Sequence, residues 1–163
     1  MLTLNIIGAG KLGQSLARLW RDAGLVEIGA VHNRSLESSE TAIQHIGAGS
    51  AALDLESMPD AKLWMISTSD SEIESIVKKL ANSGQINAGS VVFHCSGLLS
   101  SSVLESIASI GALVASTHPV MSFASPLSDL DSFTGTYCGC EGDKAALATL
   151  SPIFESIGGR CFT

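Results

Sequence analysis

The chain has 163 residues, about one domain's length, and 45% of them are apolar against 15% charged, which argues for a packed core and against disorder. Its formal net charge of −7 sets an acidic surface against nucleic-acid phosphates and anionic membranes, so neither is an expected partner. No segment reaches the roughly 18 consecutive apolar residues of a membrane span, and the first residues lack the basic region of a secretory signal.

Strand and helix signals then alternate nearly to the end. Leu2 to Ile7 is an apolar run stopped by Gly8, a buried strand. Leu12, Leu16, Leu19 and Ala23 recur at helical spacing until Gly24. Val26 to Val31 is a second strand, Ser35 to His45 a helix closed by Gly47, and Ser50 to Ala52 a short third strand. Leu63 to Ser67 is apolar on both faces, as a central parallel strand is. Ser69 and Glu72 have capping-box spacing before a helical face of Ile73, Ile76, Val77 and Leu80. Val91 to His94 is the fifth strand. Ser102 and Glu105 form a second capping box for a helix ending at Gly111. Ala112 to Ser116 is the sixth strand, followed by a loop containing Pro119 and Pro126. Phe133 to Cys140 is a seventh strand, antiparallel or at an edge. Lys144 to Ile157 is a helix that Pro152 should bend or interrupt, and Arg160 to Phe162 opens an eighth strand. This alternation predicts an α/β domain over residues 1–163, a doubly wound, mostly parallel sheet with helices on both faces.

Cys95, Cys138, Cys140 and Cys161 lie in apolar stretches. A domain of this size needs no disulfide staples, so buried, reduced thiols in a cytoplasmic protein are expected. Their spacing offers no metal site.

One motif carries chemistry. Gly8-Ala9-Gly10-Lys11-Leu12-Gly13 fits G-x-G-x-x-G and stands between an apolar strand and an amphipathic helix, the context the motif requires. Gly8 permits the tight turn, Gly10 lets a diphosphate approach the backbone, and Gly13 lets helix and strand pack closely. The helix start adds free amides and the positive dipole end, and Lys11 stands within reach of a phosphate unless it only faces solvent. At the end of the second strand an NAD-preferring domain carries Asp or Glu for the ribose 2′-hydroxyl. Here the residues are His32, Asn33, Arg34 and Ser35, with no acid among them. Arg34 can grip a 2′-phosphate with both arms of its guanidinium, and Asn33 and Ser35 add hydrogen-bonding groups. The expected cofactor is therefore NADP rather than NAD, with Ser35 also free to cap the next helix.

Later strand ends carry Ser67-Thr68-Ser69-Asp70, His94-Cys95-Ser96-Gly97 and Ser116-Thr117-His118-Pro119, and in such sheets ligands sit at the carboxyl ends of strands. Ser67, Thr68 and Ser69 are expected along the cofactor's ribose and pyrophosphate. His118 is a candidate to donate a proton or orient a carbonyl, against the plainer reading of a histidine bound to loop backbone. Ser96 is a candidate contact to substrate or nicotinamide, and His94 reads as an interior histidine. No nucleophile elbow supports hydrolase chemistry.

Taken together, Gly8 to Gly13, Asn33-Arg34-Ser35, the Ser67 to Asp70 turn, His94 to Gly97 and His118-Pro119-Val120-Met121-Ser122-Phe123 resemble a group of proteins assigned as NADP-dependent oxidoreductases. That group has an N-terminal Rossmann-like domain followed by a helical domain. It is similar to pyrroline-5-carboxylate reductases, deazaflavin-dependent NADP reductases and the 6-phosphogluconate and 3-hydroxyisobutyrate dehydrogenase superfamily. The resemblance implies that Gly8, Ala9, Gly10, Lys11, Leu12 and Gly13 touch the pyrophosphate and that Asn33, Arg34 and Ser35 hold the adenosine phosphate. It further implies that Thr68, Ser69, Ser96 and His118 border the nicotinamide, with Ser96 and His118 as the catalytic candidates. The helical domain, which in that superfamily closes the site, supplies catalytic groups and makes the dimer, is expected to be absent from these 163 residues. The function so implied is the NADP(H)-binding portion of an oxidoreductase acting on a small molecule, with a homodimer in prospect. A module that senses NADP(H) without turnover is the competing reading.

Overall fold

The computed structural model describes residues 1–125 and 129–163; Pro126 lies outside the described residues. Its strands are β1 (Leu2–Ile7), β2 (Val26–His32), β3 (Ser50–Ala51), β4 (Leu63–Ile66), β5 (Val91–His94), β6 (Leu113–Pro119), β7 (Tyr137–Gly142) and β8 (Arg160–Phe162). The helices are α1 (Lys11–Asp22), α2 (Leu36–Ile46), α3 (Asp70–Asn82), α4 (Glu105–Ala108), α5 (Asp129–Ser132) and α6 (Lys144–Ser156), with a 3-10 turn at Ser101–Leu104. One eight-stranded sheet runs β3-β2-β1-β4-β5-β6-β7-β8, parallel except where β6 meets β7. It is the doubly wound α/β sheet expected from the alternation.

The sheet is buried on both faces because its central strands are apolar throughout. In β4, Leu63 and Met65 enter one core cluster while Trp64 and Ile66 enter the other. On the first face Trp20 of α1, Phe93 of β5 and Phe154 of α6 meet edge to face, with centroids 5.0 Å apart for Trp20–Phe154 and 6.4 Å for each of the other pairs. Such pairs add about 0.5–1.5 kcal/mol beyond their buried area. They anchor the C-terminal half of α1 against the sheet and α6. On the second face Ile73, Val77 and Leu80 of α3 pack against Ile66, Val92 and Ile107.

Register between β1 and β2 slips between Leu4 and Ile6. The buried Asn5 fills the gap: its Oδ1 accepts the Ala30 amide at 2.9 Å and its Nδ2 donates to the Pro59 carbonyl at 2.7 Å. A Cβ on Gly29 would lie 2.5 Å from Asn5 Oδ1, so a residue with no side chain faces it. This small irregularity sets where β2 ends relative to β1, and therefore where Asn33 and Arg34 stand.

Four expectations are corrected. Helix α6 runs unbroken through Pro152, because Leu150, Ile153 and Phe154 are all buried and packing outweighs the lost backbone bond. The Ser102–Glu105 box does not form. Ser102 Oγ pairs with Ser100 Oγ, and Glu141 of β7 takes the Ser101 amide and hydroxyl instead, so a 3-10 turn precedes a helix of only four residues. Strand β6 continues through Pro119, which sits opposite Cys138 rather than in a loop, and β7 begins at Tyr137, four residues beyond Phe133. The antiparallel alternative for β7 holds, since it runs antiparallel to β6, while β8 pairs outside it and forms the edge on that side. All four cysteines are free; Cys95, Cys138 and Cys140 are buried and Cys161 only partly so.

Candidate nucleotide site

Strand order reverses between β1 and β4, so the chain leaves the sheet in opposite directions there and opens a crevice at the strands' carboxyl ends. The glycine turn lies in this crevice. Gly8 has φ +79°, a left-handed conformation that L side chains rarely adopt, and a Cβ there would stand 2.3 Å from Thr68 Cγ2. The Ser67 hydroxyl donates to the Gly8 carbonyl at 2.9 Å. A Cβ on Gly13 would come 2.5 Å from the same hydroxyl oxygen, so α1 crosses the end of β4 in close contact. Gly10 differs: a Cβ there meets nothing within 4 Å.

The amides of the turn divide into two sets. Gly8 donates to the His32 carbonyl at 2.9 Å, Gly10 to the Gly8 carbonyl at 2.8 Å, and Ala9 to Asn33 Oδ1 at 2.7 Å. These are committed to the fold. Helix α1 then begins at Lys11 with Gly10 as its cap and no side-chain cap bond. The first-turn amides of Lys11, Leu12 and Gly13 therefore have no partner within the helix, and they follow directly on the open face of Gly10. Such a helix start is a ready-made anion site.

A cavity of about 910 Å³ extends from this turn. Gly8, Ala9, Gly10, Asn33, Arg34, Ser35, Ser67, Thr68 and Ser69 all line it, while Lys11, Leu12 and Gly13 do not. Lys11 is exposed, and Leu12 packs against the core. Thr68 Oγ1 is shielded from solvent and has no hydrogen-bond partner. Asn33 acts on the turn rather than from the cavity's far end: besides Ala9 it holds the Ser38 carbonyl through Nδ2 at 3.0 Å. Ser35 caps α2, accepting the Ser38 amide at 3.1 Å.

The Ser69–Glu72 capping box does not form. The Ser69 hydroxyl instead donates to Glu72 Oε2 at 2.9 Å, and Glu72 Oε1 pairs with Arg34 Nη2 at 2.7 Å. The Arg34 guanidinium, with Ser69, holds the Glu72 carboxyl below its usual range. Sequence reasoning found no acid at the end of β2, yet the fold brings one from α3. It also missed Ile76 and Lys79, which line the same wall. Their spacing of four and seven residues from Glu72 places all three on one helical face, a signal that was available.

Ser96 and His118 do not line this cavity. Ser96 is buried, and its hydroxyl accepts the Leu98 and Leu99 amides at 3.1 and 3.2 Å. His118 is partly buried, with Nδ1 3.1 Å from the Cys95 carbonyl and its ring against Gly97. A carbonyl can only accept, so Nδ1 carries the proton, and in the neutral ring Nε2 is an acceptor. His94 is fully buried: Nδ1 accepts the Ser96 amide at 3.1 Å, and Nε2 donates to the Ser100 carbonyl at 3.2 Å. Burial pushes its pKa down. Among the described residues no group of three or more His, Cys, Asp or Glu is placed to hold a metal ion, and no helix is long and apolar enough to cross a membrane.

Comparison with known proteins follows the same lines. A family model described as Rossmann-like domain matches residues 1–119. The chain is similar in structure to a protein of Bacteroides fragilis assigned as an NADP oxidoreductase, at 22% identity and TM-score 0.82, covering 99% of this chain and 60% of that one. It is similar to prephenate dehydrogenase of A. aeolicus, solved with hydroxyphenyl propionate and NAD+, at 19% identity and TM-score 0.79, covering 99% and 59%. It is also similar to an imine reductase of Bacillus cereus, at 16% identity and TM-score 0.75, covering 98% and 53%. The chain thus spans 53% to 60% of these three proteins' length, and at such identities the likeness speaks for the fold. No curated protein matches in sequence.

Proposed function

The chain belongs to the Rossmann-like domain family, and from that premise we propose that it is the NADP(H)-binding portion of an oxidoreductase acting on a small molecule. The observation that carries this reading is the open face of Gly10 beside the first-turn amides of Lys11, Leu12 and Gly13, at the point where strand order reverses. That arrangement fits a diphosphate: neutral donors, a positive helix end and no side chain in the way.

The bound dinucleotide would give or take a hydride. The protein's part is to hold and orient. The amides of residues 11–13 take the diphosphate. Ser67, Thr68 and Ser69 border the sugar. Arg34 takes the 2′-phosphate, and Ser35 stands beside it. Asn33 keeps the turn in shape. Ser96 orders the loop after β5, and His118 offers Nε2 as an acceptor on the nicotinamide side. The helical domain implied by the resemblance would complete the substrate pocket and carry the dimer contact. Free cysteines, most of them buried, support a reducing, cytoplasmic setting.

Calorimetry of the folded chain with NADPH and NADH tests the reading. NADPH is expected to bind more tightly by about tenfold or more, the worth of a charge-assisted pair. No heat with either dinucleotide overturns it. Arg34→Glu is expected to weaken NADPH far more than NADH, and equal losses would refute the 2′-phosphate role. Oxidation of NADPH against a panel of ketones, imines and aldehydes then tests turnover.

A further inference from the structure

Arg34 stands in an ion pair that bridges two walls of the cavity. It leaves the end of β2, whereas Glu72 leaves the first turn of α3, and both line the cavity together with Ser69. The arginine side chain is 84% exposed and the glutamate 38%, so the pair lies in water at the mouth and not in the core. Each Glu72 oxygen is occupied: Oε1 by Arg34 at 2.7 Å, Oε2 by the Ser69 hydroxyl at 2.9 Å. Lys79, two turns further along α3, lines the same wall and attracts the same carboxylate.

We propose, resting on the reading that Arg34 meets a 2′-phosphate, that Glu72 is a specificity-determining residue working against that phosphate. One guanidinium here serves two anions. NADP must displace the carboxylate from Arg34 and then endure a like charge a few ångströms away, whereas NAD leaves the pair intact. Glu72 therefore narrows the preference for NADP that Arg34 creates. An exposed pair is weak enough for a phosphate to displace. Arg34 first, and then the Ser69 hydroxyl, hold the carboxyl below its usual range, so the competition persists at neutral pH.

The test is calorimetry of NADP+ and NAD+ with the wild-type chain, Glu72→Gln and Glu74→Gln. The amide in Glu72→Gln keeps the shape and the Ser69 contact while removing the charge. Glu74 lies on the same helix, pairs with Lys78 at 2.8 Å and does not line the cavity, so its variant controls for charge alone. Glu72→Gln should tighten NADP+ by roughly threefold to tenfold, with NAD+ changed by less than about twofold. Glu74→Gln should leave the ratio unaltered. An unchanged ratio in Glu72→Gln, or an equal shift in Glu74→Gln, overturns the inference alone, since binding by the wild-type chain would still stand. Absence of binding to the wild-type chain overturns the parent reading and takes this one with it.

Discussion

Asn33 Oδ1 accepts the Ala9 amide at 2.7 Å, so the end of β2 is tied to the middle of the glycine turn. The same side chain holds the Ser38 carbonyl, and the Asn33 amide donates to the Ser39 hydroxyl at 2.9 Å. One residue thus links turn, strand and α2. Asn33→Ala is expected to cost about 1–3 kcal/mol, because a partly buried amide loses its acceptor. It should also weaken NADPH and NADH alike, in contrast to Arg34→Glu. Urea unfolding together with calorimetry of both dinucleotides checks this.

Gly10 and Gly13 separate binding from folding. A methyl on Gly10 meets no protein atom, and its backbone at φ −77° is open to any L residue, so Gly10→Ala should cost stability only the N-cap preference of Gly over Ala, about 0.5–1 kcal/mol. On the proposed reading it should nevertheless weaken dinucleotide binding by about tenfold or more, because the methyl would stand where the diphosphate is to approach. Gly13→Ala drives a methyl against Ser67 Oγ and should cost about 1–3 kcal/mol in stability. Thermal unfolding and binding isotherms of the two variants should therefore diverge.

His94 makes the fold acid-sensitive. Burial lowers its pKa, against the pull of the Ser100 carbonyl, Glu141 and Asp70. A base with a depressed folded pKa takes its proton more readily when unfolded. Its contribution is full above the unfolded value of about 6.5 and is lost as pH falls below it. Protonation also removes the acceptor for the Ser96 amide. Carboxylates with lowered pKa, such as Glu72 and Glu74, act in the same direction but only below their ordinary range near pH 4. Stability by urea unfolding should therefore fall between pH 7 and 5, and His94→Gln, though less stable, should flatten that segment. Titration of the His94 ring by NMR gives the same answer without a variant.

The thiols should resist alkylation in the folded state. Burial raises Cys138 to about 11 and Cys161 to about 12, and raises fully buried Cys95 further. Thiolate is the reactive form, so iodoacetamide near pH 8 should leave the native chain unmodified and label all four cysteines in denaturant, as read by mass spectrometry. Partly exposed Cys161 should be the first to react on mild destabilisation.

Much of this molecule was legible from local pattern. Short apolar runs between turn signals, such as Leu63 to Ile66, read as central strands, and glycines at 8, 10 and 13 between a strand and a helix mark a tight turn. The nearby signals that failed did so where a distant residue outcompeted a neighbour. Ser69 gave up its cap because Glu72 was drawn to Arg34, and Ser102 lost its helix start because Glu141 reached across from β7. Pro152 failed to break α6 because Phe154 was already locked against Trp20.

Period and glycine placement thus determined the fold class and the position of the glycine turn, since each strand, turn and helix is set by residues within about thirty positions of one another in one βαβ unit. Which amides stay free, and which acid faces Arg34, was decided only by the tertiary structure. Asn33 takes Ala9 across 24 residues and Glu72 takes Arg34 across 38, and contacts at that range follow from how helices pack on the sheet, not from any local preference of the chain.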